Sequence, residues 1–368
     1  MTYYLDHNAC TPVDPRVLER FLETERRHAA NPASLHASGR AARVVIERSR
    51  DRVAAILNAS PEQVIFVSGG TEANNQAVAG LGDLTQPVLL APLEHPSVMG
   101  QAENRGAVWW SVDNSGRAVV VDPERAIGLV CLVHAQNEVG TIQPIADAAR
   151  VAQQHGAPLH VDISQSLGRI AVDEPIAVAD SVTLSPHKVG GLRGMAVLLV
   201  RDPNRLRSLI LGGNQEHGLR PGTVSPSLVA ANALAVELAV DEQPERSRAM
   251  NAARTRFEAV LGSSAPCQIL GGDDRLPNTV MVLFESVDGR NLLPALDLAG
   301  VEVSQGSACT TGSPEPPKIL TAMGLSAEDA QRCVRFSFDW RMRPEDAERV
   351  AQATVAAVSG LRSSDARG

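Results

Sequence analysis

Lys188 ends the stretch Ser181-Val-Thr-Leu-Ser-Pro-His-Lys188, and after Val189 comes the Gly-rich Gly190-Gly191-Leu192-Arg193-Gly194. Residues 181–184 predict a short buried strand. Pro186 stops it, because proline cannot donate to a sheet ladder. A lone lysine at the tip of a buried strand is poorly placed as a solvated cation. It is well placed to attack a carbonyl and form a Schiff base. A loop lysine that merely caps the strand accounts for this stretch about as well. Asp162 is the second candidate, closing the apolar run at 159–161. Side chains alternate along a strand, so Val161 and Asp162 face opposite sides. A carboxylate buried at such a tip needs a cationic partner. Gln165 lies about one helical turn further on.

In an open α/β sheet, ligands bind beyond the carboxyl ends of the strands. Other polar residues fall at such ends. Ser68-Gly69-Gly70-Thr71 follows a strand and opens a helix, where two glycines, the helix N-terminus and the Thr71 hydroxyl suit a phosphate. An ordinary N-cap explains so short a motif equally well. His95, in Leu93-Glu94-His95-Pro96, offers a flat ring, and Asn137 offers an amide. Each alone is better explained by a structural role. Asp162 and Lys188, however, end successive predicted strands, with a strand spacing of roughly 5 Å. A lysine, an acid for a ring nitrogen and a phosphate cradle together suit pyridoxal 5′-phosphate.

The elements that must position these residues follow from periodicity. Apolar runs at 64–67, 88–91, 108–111, 129–134, 159–161, 181–184 and 196–200 predict seven strands. Helices predicted at 72–81 and 145–155 interleave with them, which implies a mostly parallel sheet covered on both faces. The Gly-rich turn before 196–200 permits an antiparallel last pair. Upstream, 16–30 predicts a helix with Val17, Leu18, Phe21 and Leu22 on one stripe, and 39–57 a basic helix. The chain length of 368 predicts two domains. We place a large cofactor-binding domain at 16–240. Residues 1–15 and 241–368 form a smaller α+β domain, with a seam at Asp241-Glu242-Gln243-Pro244-Glu245 and a frayed tail from Ser363.

Composition narrows the function. A formal charge of −8 argues against nucleic acid as a direct partner. No run approaches a membrane span, and Met1 to Asp6 shows no signal-peptide pattern. Five dispersed cysteines suit a reducing cytoplasm, and no ligand spacing points to a metal.

Taken together, the motifs resemble those of the cysteine desulfurases, in the class V aminotransferase group with the PLP fold type I architecture. They run from Tyr4-Leu-Asp-His-Asn-Ala and Asn31-Pro-Ala-Ser-Leu-His36 through Ser68-Gly-Gly-Thr-Glu72 and Glu94-His-Pro-Ser97. Asn137-Glu-Val-Gly140, His160-Val-Asp-Ile-Ser-Gln165, Ser185-Pro-His-Lys188 and Arg220-Pro-Gly-Thr223 follow, then Gly306-Ser-Ala-Cys309 and Arg335-Phe-Ser337. The resemblance spans nearly the whole chain to about Arg343. It implies Lys188 as the Schiff-base lysine, Asp162 on the pyridine nitrogen, Gln165 on the ring hydroxyl and His95 stacked on the ring. It implies a phosphate site of Gly70, Thr71, Ser185 and His187, joined by Thr223 from the other subunit of a homodimer. Asn137 and Arg335 would bind the substrate carboxylate, and freed Lys188 and His95 would move protons.

Cys309 lies in a segment of small residues, glycines and prolines, about 304–317, that resembles the mobile loop of the long-loop desulfurases. The resemblance implies L-cysteine as substrate, L-alanine as product and a persulfide on Cys309. A sulfur-acceptor protein, for iron–sulfur cluster assembly or tRNA thiolation among others, would collect it. Selenocysteine lyase and another class V enzyme are the alternatives, and a non-catalytic scaffold is disfavoured by intact Lys188, Asp162 and Cys309. Two departures stand out. Cys10 replaces the usual Thr, and Phe338-Asp339-Trp340 follows Arg335-Phe-Ser where a Leu-Gly-Arg-like sequence is common.

Overall fold

The computed structural model describes residues 2–285, 287–306 and 317–365, the last three by backbone only. Seven strands form the main sheet in the order Val64–Val67, Ala196–Val200, Ser181–Leu184, Leu159–Asp162, Leu129–Cys131, Val88–Leu90, Ala107–Trp109. All run parallel except Ala196–Val200, which is antiparallel to both neighbours. Five of the seven are apolar along their whole length because helices cover both faces. The other two are Ser181–Leu184, with Ser181 and Thr183, and Leu159–Asp162, with His160 and Asp162, and both are buried at all four positions.

A second sheet of Cys267–Leu270, Thr279–Phe284 and Cys333–Ser337 is antiparallel throughout. Its core joins Phe257, Phe284, Phe336, Phe338 and helix Pro344–Asp365, and it also takes in Leu5 from the N-terminus. Tyr3–Tyr4 pairs in parallel with Val301–Glu302. Cys267–Leu270 was not foreseen in the sequence. It is a half-exposed edge strand, so only its last residue is buried and no apolar run marks it. The run at 108–111 divides: Ala107–Trp109 stays in the main sheet, while Ser111–Val112 pairs with Ala118–Val119 in a separate hairpin. The last helix continues through Asp365, past the fraying expected at Ser363.

The stripe expected on the first helix, Pro15–Arg27, is only partly used. Val17 is buried against Ala231 and Ala235 of helix Pro226–Asp241, with Phe21 beside it, but Leu18 and Leu22 are each 44% exposed. One neighbouring helix covers less than the full apolar width. No described helix is long and apolar enough to cross a membrane.

The edge strand Val64–Val67 is tied down by a buried ion pair. Arg50 and Glu216 are 3% and 6% exposed, and join through two bonds of 2.8 and 2.7 Å. Arg50 also donates to the Val64 carbonyl at 2.6 Å, and Glu216 accepts from the Phe66 N–H at 2.8 Å. The pair holds Glu216 and His217 at φ of 47° and 58°, a left-handed region that non-glycine residues rarely occupy. Arg50→Met leaves a buried carboxylate without its cation, which costs about 3–5 kcal/mol. The variant is expected to unfold at clearly lower denaturant, with much of the loss recovered by adding Glu216→Gln. A midpoint equal to the parent protein's would show that the pair does not hold this edge.

Candidate active site

The polar candidates converge where the parallel strands end. Asp162 pairs in register with Thr183 on the next strand. From there the chain passes Leu184 and Ser185 into the turn Pro186–Lys188. The turn is locked by Gly191 N–H donating to the Pro186 carbonyl at 2.8 Å. Gly191 is required there, since a Cβ would stand 2.5 Å from Asn232 Oδ1 and 2.7 Å from Pro186 Cβ. The Lys188 carbonyl accepts from the Thr11 hydroxyl at 3.0 Å and from Arg169 at 3.4 Å. The lysine backbone is therefore fixed from both sides, and its side chain is half-buried.

Asp162 is buried, with one donor on each oxygen. Its Oδ1 accepts from the Ser164 N–H at 2.8 Å and its Oδ2 from Asn74 Nδ2 at 2.9 Å. Burial by itself would raise this carboxyl. The Lys188 charge and the bonds from Asn74 and Ser164 outweigh it and hold Asp162 below its usual range. Lys188 is lowered to about 8, first by loss of water and then by the Arg169 and Arg335 charges, with Asp162 opposing. The two groups are an acid kept ionised and an amine that can lose its proton near neutral pH.

Around them stand the other candidates. His95 caps helix Pro96–Arg105. Its ring is lowered from the ordinary value by burial and by the Lys188 charge, against the pull of Asp162. His187 is lowered to about 4 by burial, Lys188 and Arg193. Gly70 starts helix Gly70–Gly80 so close to the neighbouring strand that a Cβ would overlap Ser185 Oγ. Thr71 is exposed on the first turn of that helix. Glu72 accepts from Ser68 N–H at 2.7 Å and from Arg220 Nε at 2.9 Å, which ties the Arg220–Thr223 segment to this helix N-terminus. Thr223 is exposed and lines a cavity of about 440 Å³ with Asn31, Arg50 and His217.

Gln165 is buried, donating to the Asn8 carbonyl at 2.9 Å and accepting from Arg169. Arg335 is also buried, with Asp6 at 2.5 Å and the Asn137 carbonyl at 3.0 Å on its two terminal nitrogens. Its Nε has no partner among the described residues. Asn137 is half-buried beside it. Of the departures, Cys10 lies 3.3 Å from Arg193 Nη1, and Trp340 stacks under the Arg246 guanidinium at 4.0 Å. Trp340 and Asp339 line a small void beneath Lys188 together with His7 and Arg169. Cys309 lies outside the described residues.

Residues not singled out from sequence complete the site. Asn74, Ser97, Asn8 and Asp6 make the contacts described here, and Glu94, buried beside His95, is raised to about 8 by burial and by Asp162, against the Val133 N–H that it accepts. Asn74 carries a detectable signal only in retrospect: it is a polar residue one turn after Thr71 on the inner face of a short helix. A second cavity, of about 500 Å³, opens at the opposite end of the sheet and contains none of these residues.

A family model described as aminotransferase class-V matches residues 3–350. "Cysteine desulfurase IscS 1" of Archaeoglobus fulgidus is 34% identical over 374 residues, covering 98% of each chain. The solved structure of a "NifS-like protein" superposes with a TM-score of 0.88 at 30% identity, over 98% of this chain and 100% of that one. A structure described as "SspA in complex with cysteine" has a TM-score of 0.79 at 32% identity, over 92% and 99%. The seven-stranded, mostly parallel sheet is thus that of the PLP fold type I enzymes, as the sequence motifs implied.

Asp162 is the charge that keeps Lys188 from falling further. Asp162→Asn should therefore move the Lys188 titration below about 8 in cofactor-free protein. The pH dependence of Lys188 acylation, read by peptide mass, measures it. A midpoint that rises would overturn the electrostatic account.

Proposed function

The chain belongs to the class-V aminotransferase family, and from that premise we propose that it is a pyridoxal-phosphate-dependent cysteine desulfurase. The observation that carries the reading is a half-buried lysine at one strand tip under the field of an ionised, buried carboxylate at the next. The residues suit the cofactor. An acid held ionised in a dry setting complements a protonated ring nitrogen. A Cβ at Gly70 would collide with Ser185 Oγ, so the glycine leaves bare backbone beside that hydroxyl, at a helix N-terminus that favours a phosphate.

Pyridoxal phosphate bound there supplies an electron sink beside the substrate's reacting carbons. Lys188 would hold it covalently and, once displaced by L-cysteine, take up and return a proton at Nζ. Its lowered pKa suits that work near neutral pH. Asp162 would keep the ring nitrogen protonated, Gln165 would meet the ring hydroxyl and His95 would lie against the ring. Gly70, Thr71, Ser185 and His187 would bind the phosphate, with Thr223 of the partner subunit in a homodimer. Asn137 and Arg335 would hold the substrate carboxylate. The Arg335 fork is already occupied, so binding requires it to exchange Asp6 or the Asn137 carbonyl for the substrate.

The Cys309 thiolate would attack the substrate sulfur. One S–S bond forms as the substrate C–S bond breaks, and the products are L-alanine and a persulfide on Cys309. A separate acceptor protein in the cytoplasm would then take the sulfur. In this reading 16–240 binds the cofactor, and 1–15 with 241–368 carries the thiol.

Cys309→Ser tests the assignment. A hydroxyl is a far weaker nucleophile than a thiolate toward sulfur. Alanine release should fall at least about 100-fold, with cofactor binding intact and no sulfur adduct found by mass spectrometry. Cys10→Ser should keep most activity. Wild-type turnover in Cys309→Ser, or an adduct on Cys10 alone, would overturn it. Thr223→Ala should loosen the cofactor while leaving the dimer whole, as equilibrium dialysis and light scattering would report; unchanged retention would remove Thr223 from the site.

A further inference from the structure

We infer that Asn74 and Ser97 are positioning residues that lock His95 into one neutral tautomer, with its single proton on Nε2. The inference deepens the proposed function and rests on it for the consequence in catalysis, though the tautomer itself does not.

One group beside His95 has a single possible role. The Ser97 backbone N–H can only donate, and it lies 3.1 Å from His95 Nδ1. Nδ1 is therefore an acceptor and carries no proton. Ser97 Oγ lies 2.7 Å from the same nitrogen. That hydroxyl in turn accepts from Asn74 Nδ2 at 3.0 Å. Its own proton is then free to point at Nδ1, which receives two bonds from one residue.

The orientation of Asn74 is fixed in the same way. The same Nδ2 lies 2.9 Å from Asp162 Oδ2, an ionised carboxylate that can only accept. Its Oδ1 faces His160 Nε2 at 3.1 Å, and His160 Nδ1 meets Ser181 Oγ at 2.8 Å. Flipping the amide would set an oxygen against the carboxylate. Burial of Asn74 and His160, each 1% exposed, leaves no water to repair such a mismatch. The bonds thus run in one direction, from Ser181 through His160 to Asn74, and on through Ser97 to His95, with Asp162 as the second acceptor.

His95 is also the N-cap of a ten-residue helix, whose positive end opposes an imidazolium. Its Nε2 has no partner among the described residues, so that N–H is the one left to meet a ligand. A nitrogen that already holds the proton offers a hydrogen bond and does not take a proton away. His95 would then steady an electron-rich atom of the substrate or cofactor, and proton removal falls to Lys188.

Nitrogen NMR of holoenzyme labelled in histidine tests this without reference to turnover. His95→Gln assigns the signals by their loss. The wild type should show a lone-pair Nδ1 and a protonated Nε2 at neutral pH. Ser97→Ala keeps the backbone N–H and loses only the hydroxyl bond, so it should move the two nitrogens part of the way toward a tautomer average, as should Asn74→Ala, and Ser97→Thr, which keeps the hydroxyl, should restore the wild-type pattern. In Ser97→Ala, kcat for alanine release should drop roughly 3- to 10-fold, the worth of one hydrogen bond. A wild-type Nδ1–H or imidazolium would overturn the inference, and this spectrum decides it even if Asn74→Ala fails to fold. An unchanged spectrum in both alanine variants would also overturn it. A protein with the locked tautomer that released no alanine from cysteine would refute the desulfurase reading and leave this one standing.

Discussion

One electrostatic contact underlies the rest of the site: a carboxylate and an amine at the tips of adjacent strands, both short of water. Burying either alone would cost several kcal/mol or neutralise it. Together they moderate each other. Asp162 is supplied with donors on both oxygens, so it stays charged. Among the described residues no hydrogen bond holds the Lys188 ammonium, and it is the backbone carbonyl that is held, by Thr11 and Arg169. The acid is held by a donor on each oxygen and keeps further acceptor sites, while the amine is free to react. That asymmetry is what a covalent attachment point requires, and the surrounding elements serve to keep it.

The short N-terminal segment 5–11 does much of the keeping. Asn8 donates to the Asn137 carbonyl and to Thr279 Oγ1, both at 2.9 Å, and accepts from Asn278 at 3.0 Å and from Gln165 at 2.9 Å. Asp6 pairs with Arg335, and Thr11 with the Lys188 carbonyl. Few residues thus tie the large sheet, the small sheet and the site into one polar network. Such networks transmit disturbance: a change at Asp6 reaches the carboxylate-binding candidate Arg335 without touching a ligand.

The main sheet was legible in sequence because both its faces are buried. Continuous apolar runs such as Val64–Val67 and Ala196–Val200 have few other uses. Elements with one wet face were harder to find. Cys267–Leu270 buries only its last residue and carries too short an apolar run to mark it, and the apolar stripe on Pro15–Arg27 overstates what is buried. The candidate site was legible where a residue ends a strand, as at Asp162, or follows within a few residues of its end, as at Lys188 and His95. It was not legible where a residue works by facing inward from a helix. Asn74 reads as an ordinary surface amide, and only the packing of helix Gly70–Gly80 on the sheet sets it against Asp162 and Ser97. Sequence spacing could not show that residues 74, 97, 160 and 162 share one chain of hydrogen bonds.

The reversed strand Ala196–Val200 also shapes how the molecule must come into being. Val64–Val67 has no other partner in the main sheet, and its ladder runs from Ala196↔Val67 to Leu199↔Val64. A ribosome working at roughly 5–20 residues per second emits the first strand several seconds before the second, about 130 residues later. Through that interval an apolar edge has nothing to pair with. Closing so long a loop is also entropically slow. The same holds for Leu5, whose core is finished only when the last helix arrives. Nascent chains of this protein should therefore be most in need of chaperone cover between the emergence of residue 67 and that of residue 200.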